Sequence, residues 1–140
     1  MSYSLFLDDC RMPHQVNWVR IPDVEYEIVR SYEDFVAKIE EKGLPEFVSF
    51  DHDLCVEHYK QMADLFYKKN GSYQYNSFEE KTGYDCAKWL IQYCEEKNLD
   101  FPKYAIHSMS PVGRSNIHAA ITSYASYRSS KNKRDSFWSI

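Results

Sequence analysis

The chain has 140 residues, a formal net charge of −4, and 12 Tyr, 8 Phe and 3 Trp. That length suits one domain with a single core, and the negative charge argues against binding to nucleic acid or an anionic membrane through overall charge. There is no apolar run of about 18 residues and no signal-peptide pattern, so we expect one cytoplasmic domain over residues 1–140 with no membrane partner.

A short buried strand is predicted at residues 4–7, an apolar run that stops at two aspartates. Residues 11–24 contain two prolines and no clean period, which indicates an irregular connection. The second strand is predicted at residues 26–29. Ser31 then caps a helix with one apolar face, and Gly43 ends that helix.

The middle of the chain predicts a third strand at residues 47–50 and a long inserted connection over residues 54–82. A connection of this length inside a compact domain is often functional. Its middle, about residues 57–69, has a helical pattern. Its aromatic side chains, Tyr73 and Tyr75 among them, suit a lid that stacks on a base or ribose as well as they suit a small hydrophobic cluster.

The last third of the chain predicts a helix, a strand and a second helix. Thr82 and Asp85 have the spacing of a capping box at the start of the first helix, although Asp85 suits a functional role equally well. The fourth strand is predicted at residues 104–106, and Pro111 starts the second helix. A short basic and polar C-terminal tail follows, with an edge strand at residues 137–138.

Apolar strands that alternate with amphipathic helices are typical of an α/β fold with one doubly wound, mostly parallel sheet. We therefore predict a flavodoxin-like three-layer sandwich, in which ligands bind outside the carboxyl ends of the strands. In that strand order the ends of the first and third strands are neighbours. Four carboxylates then converge there: Asp8, Asp9, Asp51 and Asp53.

Such convergence costs free energy, because like charges at ~4 Å repel by about 1 kcal/mol in water and by several times more when partly buried. A single Asp after a strand is usually a turn residue or a helix cap, but the set is better explained by bound protons or a hard cation. Mg²⁺, or Mn²⁺, fits best, with Asp8, Asp9 and Asp51 as ligands and Asp53 as a ligand or outer group. Zn²⁺ is the lesser choice; its softer ligands would be Cys10, Cys55, His52 and His107. Without close-paired spacing or a secretory signal, the four cysteines are expected to be reduced thiols.

Two histidines at strand ends, His107 and His52, are candidates for proton transfer, and buried structural roles are the alternative for both. The loop after the fourth strand leads into a helix N-terminus, whose N–H groups suit an anion. Arginines can fork onto phosphate, although Arg11 is also a natural charge partner for Asp8 or Asp9. The candidate phosphate-binding residues are Arg11, Ser108, Gly113, Arg114 and Asn116.

These motifs together resemble one family, the cyclic-phosphate-processing receiver domains, over residues 5–124. The residues that carry the resemblance are Leu7-Asp8-Asp9 with Arg11 and Pro13, Phe50-Asp51-His52-Asp53-Leu54, Thr82-Gly83 with Asp85 and Trp89-Leu90, and His107-Ser108 with Pro111, Gly113, Asn116 and Ile117. One departure is Ser110, where the family pattern has Asn before the proline. The resemblance implies a divergent receiver fold that processes cyclic phosphates, with a nucleotide or an RNA end as partner. It matches Asp8, Asp9, Asp51 and Asp53 to the acidic site, and His52, His107 and Ser108 to the polar residues around it.

The sequence thus favours metal-dependent hydrolysis of a cyclic phosphate on an RNA end or a cyclic nucleotide. His107 is the first choice and His52 the second for the general acid or base, and Asp53 is the third candidate catalytic residue. A phospho-accepting receiver domain is the first alternative, but its lysine after a fifth strand is missing, since Lys131 and Lys133 follow no apolar strand. The second alternative is a protein that binds a cyclic nucleotide without catalysis. No protein partner is predicted.

Overall fold

The computed structural model describes residues 2–55, 58, 60 and 81–138, with side chains as far as residue 134. The described strands are β1 (Ser4–Leu7), β2 (Tyr26–Val29), β3 (Phe47–Phe50) and β4 (Lys103–Ile106), and the described helices are α1 (Tyr32–Lys42), α2 (Gly83–Glu96) and α3 (Pro111–Trp138). The helix predicted within residues 57–69 lies outside the described residues, apart from residues 58 and 60, and so do Tyr73 and Tyr75.

The four described strands form one parallel sheet in the order β2-β1-β3-β4. Leu7, the last residue of β1, is in register with Val29 on one side and Phe50 on the other, and Phe50 is in register with Ile106. All four strands therefore end at the same level. The predicted parallel, receiver-like sheet is confirmed, and the ends of β1 and β3 are neighbours as expected.

The two faces of the sheet carry different side chains because successive residues of a strand alternate. One face contributes five buried apolar residues to the main core, where they pack with residues of all three helices: Leu5, Leu7, Val29, Val48 and Phe50. The other face carries Phe6 and Ser49, which are both fully buried. On that face the ring of Tyr26 meets Phe6 edge-on at 6.0 Å.

Helix boundaries follow the predicted signals. The Ser31 hydroxyl accepts a hydrogen bond from the backbone N–H of Asp34, and Gly43 ends α1. The connection between β1 and β2 is irregular, as predicted, and contains only a 3₁₀ turn at Pro13–Gln15. None of the helices in the described part of the chain has the length and apolar character that crossing a membrane requires.

The predicted edge strand at residues 137–138 is wrong, because α3 continues to Trp138. The buried stripe of α3 ends at Tyr124, but no proline or glycine follows it before Trp138. A helix propagates more easily than it begins, so nothing in this stretch stops it. The predicted polar tail thus lies within the helix, where Arg128 donates to the carboxylate of Asp100 and to the side-chain oxygen of Asn98.

The capping box at the start of α2 is present. The Thr82 hydroxyl accepts from the Asp85 N–H, and the Asp85 carboxylate accepts from the Thr82 N–H at 2.9 Å. The spacing of Asp85 allowed a capping role or a functional role, and the structure shows the capping role.

Thr82→Ala should lower the free energy of unfolding by about 1–2 kcal/mol, because it removes a helix cap at a buried position. Thr82→Ser keeps the hydroxyl and is the matched control, with an expected loss at least twofold smaller. Urea unfolding followed by circular dichroism measures both. Equal losses in the two variants would show that the methyl group, not the cap, matters.

Candidate functional site at the carboxyl ends of the strands

The site begins with a row of side chains one residue beyond the ends of β1, β3 and β4. The backbone N–H groups of Asp8, Asp51 and His107 each donate to the last carbonyl of the neighbouring strand, at 2.9–3.2 Å. The ladder of the sheet therefore continues through these residues. By strand alternation their side chains point to the face that carries Phe6 and Ser49.

Asp8 is fully buried and has donors around both carboxylate oxygens. Its Oδ1 accepts from the N–H groups of Cys10 and Arg11, at 3.0 and 2.9 Å. Its Oδ2 lies 3.0 Å from His107 Nε2 and 3.5 Å from Arg11 Nη1. Burial alone would raise the pKa of Asp8, but the hydrogen bonds from His107, Arg11 and Cys10 outweigh it and hold the pKa well below its usual range. Asp8 is thus a permanent negative charge inside the protein.

His107 is also fully buried, and both of its ring nitrogens contact protein groups. Nε2 faces Asp8, while Nδ1 lies 2.7 Å from the hydroxyl of Ser49. The ring stacks on Phe6 with centroids 4.6 Å apart and planes 4° from parallel. The backbone carbonyl of His107 accepts from the indole N–H of Trp18 at 2.7 Å. The contacts of the ring with Asp8, Ser49 and Phe6 therefore fix its orientation.

Asp51 differs from Asp8 in having one oxygen without a partner. Its side chain is 2 % exposed, and Oδ1 accepts from the N–H of His52 at 2.8 Å. Oδ2 is buried and makes no hydrogen bond to any residue that the structure describes. Burial, followed by the charge of Asp8, raises the pKa of Asp51 to about 8. An acceptor left bare in this way costs free energy, so Asp51 is poised to take up a proton or a cation.

His52 and Asp53 form a second buried pair beside the row. His52 Nδ1 lies 2.8 Å from a carboxylate oxygen of Asp53. The His52 ring packs against the backbone of Gly113, where an added Cβ would stand 2.4 Å from the ring. Contact with His52 therefore requires glycine at position 113.

Two arginines surround the row, and the sequence singled out only one of them. Arg11 is 27 % exposed in its side chain and lies over the Trp18 ring at 5.1 Å, so it stands between Asp8 and solvent. Arg30 donates to the backbone carbonyls of Asp8 and Arg11 and thereby holds the loop after β1. Arg30 follows β2 as Asp8 follows β1, and this shared position is the signal that could have identified it.

The loop between β4 and α3 uses its serines to cap the helix. The Ser108 hydroxyl accepts from the N–H of Ser110, and the Ser110 hydroxyl accepts from the N–H of Gly113 at 3.1 Å. Ser110 therefore serves as a cap in place of the asparagine of the family pattern. The N–H of Gly113 is used within the protein. In the same first turns of α3, Arg114 is exposed and Asn116 is half-buried.

The described residues include two groups that could hold a metal ion, and Asp8 belongs to both. One group is Asp8, Asp51 and His107, all buried; the other is Asp8, Asp9 and Cys10. Burial and the carboxylates of Asp9 and Asp8 raise the pKa of the Cys10 thiol, which makes it a weaker ligand than they are. None of the four cysteines, all of which lie in the described part of the chain, forms a disulfide, as predicted. The unpartnered oxygen of Asp51 fits a hard cation, and the predicted ligands Asp8, Asp9 and Asp51 are distributed over the two groups.

A separate groove of about 780 Å³ lies near the opposite end of the sheet, between the residues before β4 and the second half of α3. Phe101, Tyr104 and Arg128 line it. It contains none of the residues of the row, so its size does not make it the site of the chemistry.

Comparison with known proteins gives one family. The model of a family described as the cyclic-phosphate processing receiver domain matches residues 3–123, a span that includes the row and both buried histidine–carboxylate pairs. No curated protein and no solved structure matches the chain.

Proposed function

This chain belongs to the family of cyclic-phosphate processing receiver domains, and from that premise we propose that it hydrolyses a cyclic phosphodiester on an RNA end or a cyclic nucleotide with the help of Mg²⁺ or Mn²⁺. The observation that carries the metal part of the proposal is the buried Asp51 Oδ2, which has no hydrogen-bond partner beside the permanent charge of Asp8.

Asp8 and Asp51 would hold the cation, and Asp9 would complete the acidic set from the rim. When bound, the cation neutralises phosphate oxygens and activates water, as metal ions do in other phosphoesterases. The protein contributes rigidity, since the row lies directly on the hydrogen-bonded ladder of the sheet. A site built on strands holds its groups more precisely than a site on mobile loops.

Arg11 is the residue proposed to bind the phosphate. It is partly exposed, and the Trp18 ring supports its guanidinium group from one side. A guanidinium fork matches the oxygens of a phosphate group. Arg11 Nη2 lies 3.7 Å from the sulfur of Met109, the residue after Ser108 in the loop that follows β4. Ser108 in that loop, and Arg114 and Asn116 on the first turns of α3, would contact other parts of the substrate.

Of the two buried histidine–carboxylate pairs, we assign one to positioning and the other to proton transfer. Because both ring nitrogens of His107 contact Asp8 and Ser49, we assign His107 to positioning Asp8 rather than to direct contact with the substrate. The pair of His52 and Asp53, in contact at 2.8 Å, is then assigned as the source of the proton for the leaving oxygen, since histidine is the side chain that most often acts as a general acid.

A panel of substrates tests this function: an RNA ending in a 2′,3′-cyclic phosphate, a cyclic mononucleotide and a cyclic dinucleotide, each with Mg²⁺ and with Mn²⁺. We expect turnover of one class, its loss in Asp51→Ala, and a decrease of about 10- to 100-fold in His107→Asn. His52→Asn should reduce turnover by about 10²-fold or more if it supplies the proton.

Lys88→Ala, on the exposed side of α2, is the control for general damage. Tight binding without turnover across the panel would replace hydrolysis with sequestration of the ligand. Neither binding nor turnover would remove the cyclic-phosphate function, and full activity of His52→Asn would remove its assigned role.

A further inference from the structure

The row of Asp8, Asp51 and His107 contains a nitrogen atom as well as carboxylate oxygens. One ligand atom from each residue lies within 4.8 Å of the other two, and all three side chains are buried. The carboxylates alone would be an acidic cluster. The additional observation is that Asp51 Oδ2, in a side chain 2 % exposed, has no hydrogen-bond partner among the described residues.

His107 is held so that Nε2 faces this volume. Phe6 fixes the plane of the ring by parallel stacking at 4.6 Å, and Ser49 fixes its rotation through the 2.7 Å contact to Nδ1. With the ring held in this way, what can still change is which ring nitrogen, Nδ1 or Nε2, carries the proton. Ser49 is fully buried on β3.

The His107 ring proton has a defined position both in the cation-free protein and in the cation-bound protein. Without one, the Asp8 carboxylate can only accept, so Nε2 carries the proton and donates it to Oδ2. In a neutral ring Nδ1 then accepts from the Ser49 hydroxyl. With a cation on Nε2, the ring proton resides on Nδ1 and is donated to the Ser49 oxygen. A hydroxyl can serve as donor or acceptor, so Ser49 satisfies the ring in both states.

We propose that His107 Nε2 is a direct ligand of the cation together with Asp8 and Asp51, and that Ser49 is the hydrogen-bond partner that fixes the metal-binding tautomer. This inference rests on the metal part of the proposed function. A metal-bound histidine normally donates its second ring N–H to a protein group, and the Ser49 hydroxyl is already in that place. A mixed nitrogen and oxygen ligand set favours Mn²⁺ over Mg²⁺, because Mg²⁺ prefers oxygen ligands alone.

Pulsed electron paramagnetic resonance on the Mn²⁺-loaded full chain tests the ligand directly. In protein labelled with ¹⁵N only at histidine, the electron spin should couple to one directly bound ¹⁵N nucleus. The coupling should be absent in His107→Asn. It should remain in His118→Asn, the matched control, because His118 is exposed on α3, where its ring contacts Tyr104.

Calorimetry with Mn²⁺ and Mg²⁺ separately gives a second measurement. Wild type should bind Mn²⁺ about tenfold or more tightly than Mg²⁺. Ser49→Ala should weaken Mn²⁺ binding by about 10-fold or more, with a smaller effect on Mg²⁺. If His107→Asn fails to fold, long-range ¹H–¹⁵N spectra of the wild type with diamagnetic Zn²⁺ replace it, and the His107 ring proton should move from Nε2 to Nδ1.

The outcomes separate this inference from the function on which it rests. Mn²⁺ binding without a bound histidine nitrogen would overturn the inference and leave the proposed function standing. A coupling that survives in His107→Asn but disappears in His52→Asn would also overturn it. No binding of any cation would overturn both.

Discussion

Asp51→Asn is expected to abolish binding of Mg²⁺ and Mn²⁺ and, at the same time, to raise the stability of the cation-free protein. The amide keeps the size of the side chain and can still accept the 2.8 Å hydrogen bond from the His52 N–H. It cannot lose a proton, so it never places a second negative charge next to Asp8, and that charge is the part of Asp51 that a cation needs.

The gain in stability follows from the pKa of Asp51, which burial and the charge of Asp8 raise from 3.8 to about 8. Between these two values the folded protein holds a proton that the unfolded chain has released. The stability of the cation-free wild type therefore falls as the pH rises from 3.8 to about 8 and levels off above that. The asparagine variant lacks this pH dependence. One proton changes the free energy of unfolding by up to about 1.4 kcal/mol per pH unit, so at pH 7 we expect the variant to be more stable than the wild type by a few kcal/mol at most.

Two measurements check this expectation. Urea unfolding of both proteins in a chelator, from pH 5 to pH 9, should give a difference in the free energy of unfolding that grows with pH up to about pH 8 and is constant above it. Calorimetric titration should show wild-type affinity for the cation rising by up to tenfold per pH unit below about pH 8, because binding displaces the proton of Asp51. Equal cation binding by the two proteins would contradict the assignment of Asp51 as a ligand.

Gly83→Ala should destabilise the protein by about 3 kcal/mol or more. This is the largest loss of stability that we expect from adding one methyl group to a glycine of the described structure. A Cβ at this position would lie 1.7 Å from the backbone carbonyl oxygen of Asp51 and 3.0 Å from the Cα of His52. Backbone atoms of a strand end cannot move aside as a flexible side chain can. The Gly83 N–H also donates to the His52 carbonyl at 2.8 Å, so a displacement would break that bond as well.

Thermal and urea unfolding of Gly83→Ala measure this loss, and Lys88→Ala is the control at an exposed position of the same helix. We further expect weaker cation binding by any Gly83→Ala protein that folds, because the backbone of Asp51 must shift. A variant with wild-type stability would show that the start of α2 does not pack against the end of β3 as closely as described.

The sequence predicted the parts of this protein that depend on local signals. The four apolar runs became strands, and Ser31, Thr82 and Pro111 mark helix starts. Asp8 and Asp51 were expected to meet because parallel strands present their carboxyl ends at one edge of the sheet. Nothing more than the order of the strands was needed for that conclusion.

The sequence could not predict contacts that depend on register and on side-chain orientation. Ser49 resembles any small residue within a strand, and only the pairing of β3 with β4 brings it to His107. Arg30 binds backbone carbonyls, which no side-chain motif marks, so its position directly after β2 is the signal that the sequence offers. The end of α3 was misjudged for a different reason, since the apolar stripe that predicts a helix ends at Tyr124 well before the helix itself.

The row across the strand ends has a consequence for the kinetics of folding. Asp8 and His107 are 99 positions apart in the chain, and they meet only after β1, β3 and β4 have all paired. A cation that needs the whole row has little to bind in a partly assembled chain. Added cation should then leave the folding rate almost unchanged and slow unfolding instead, as expected for interactions that form after the transition state.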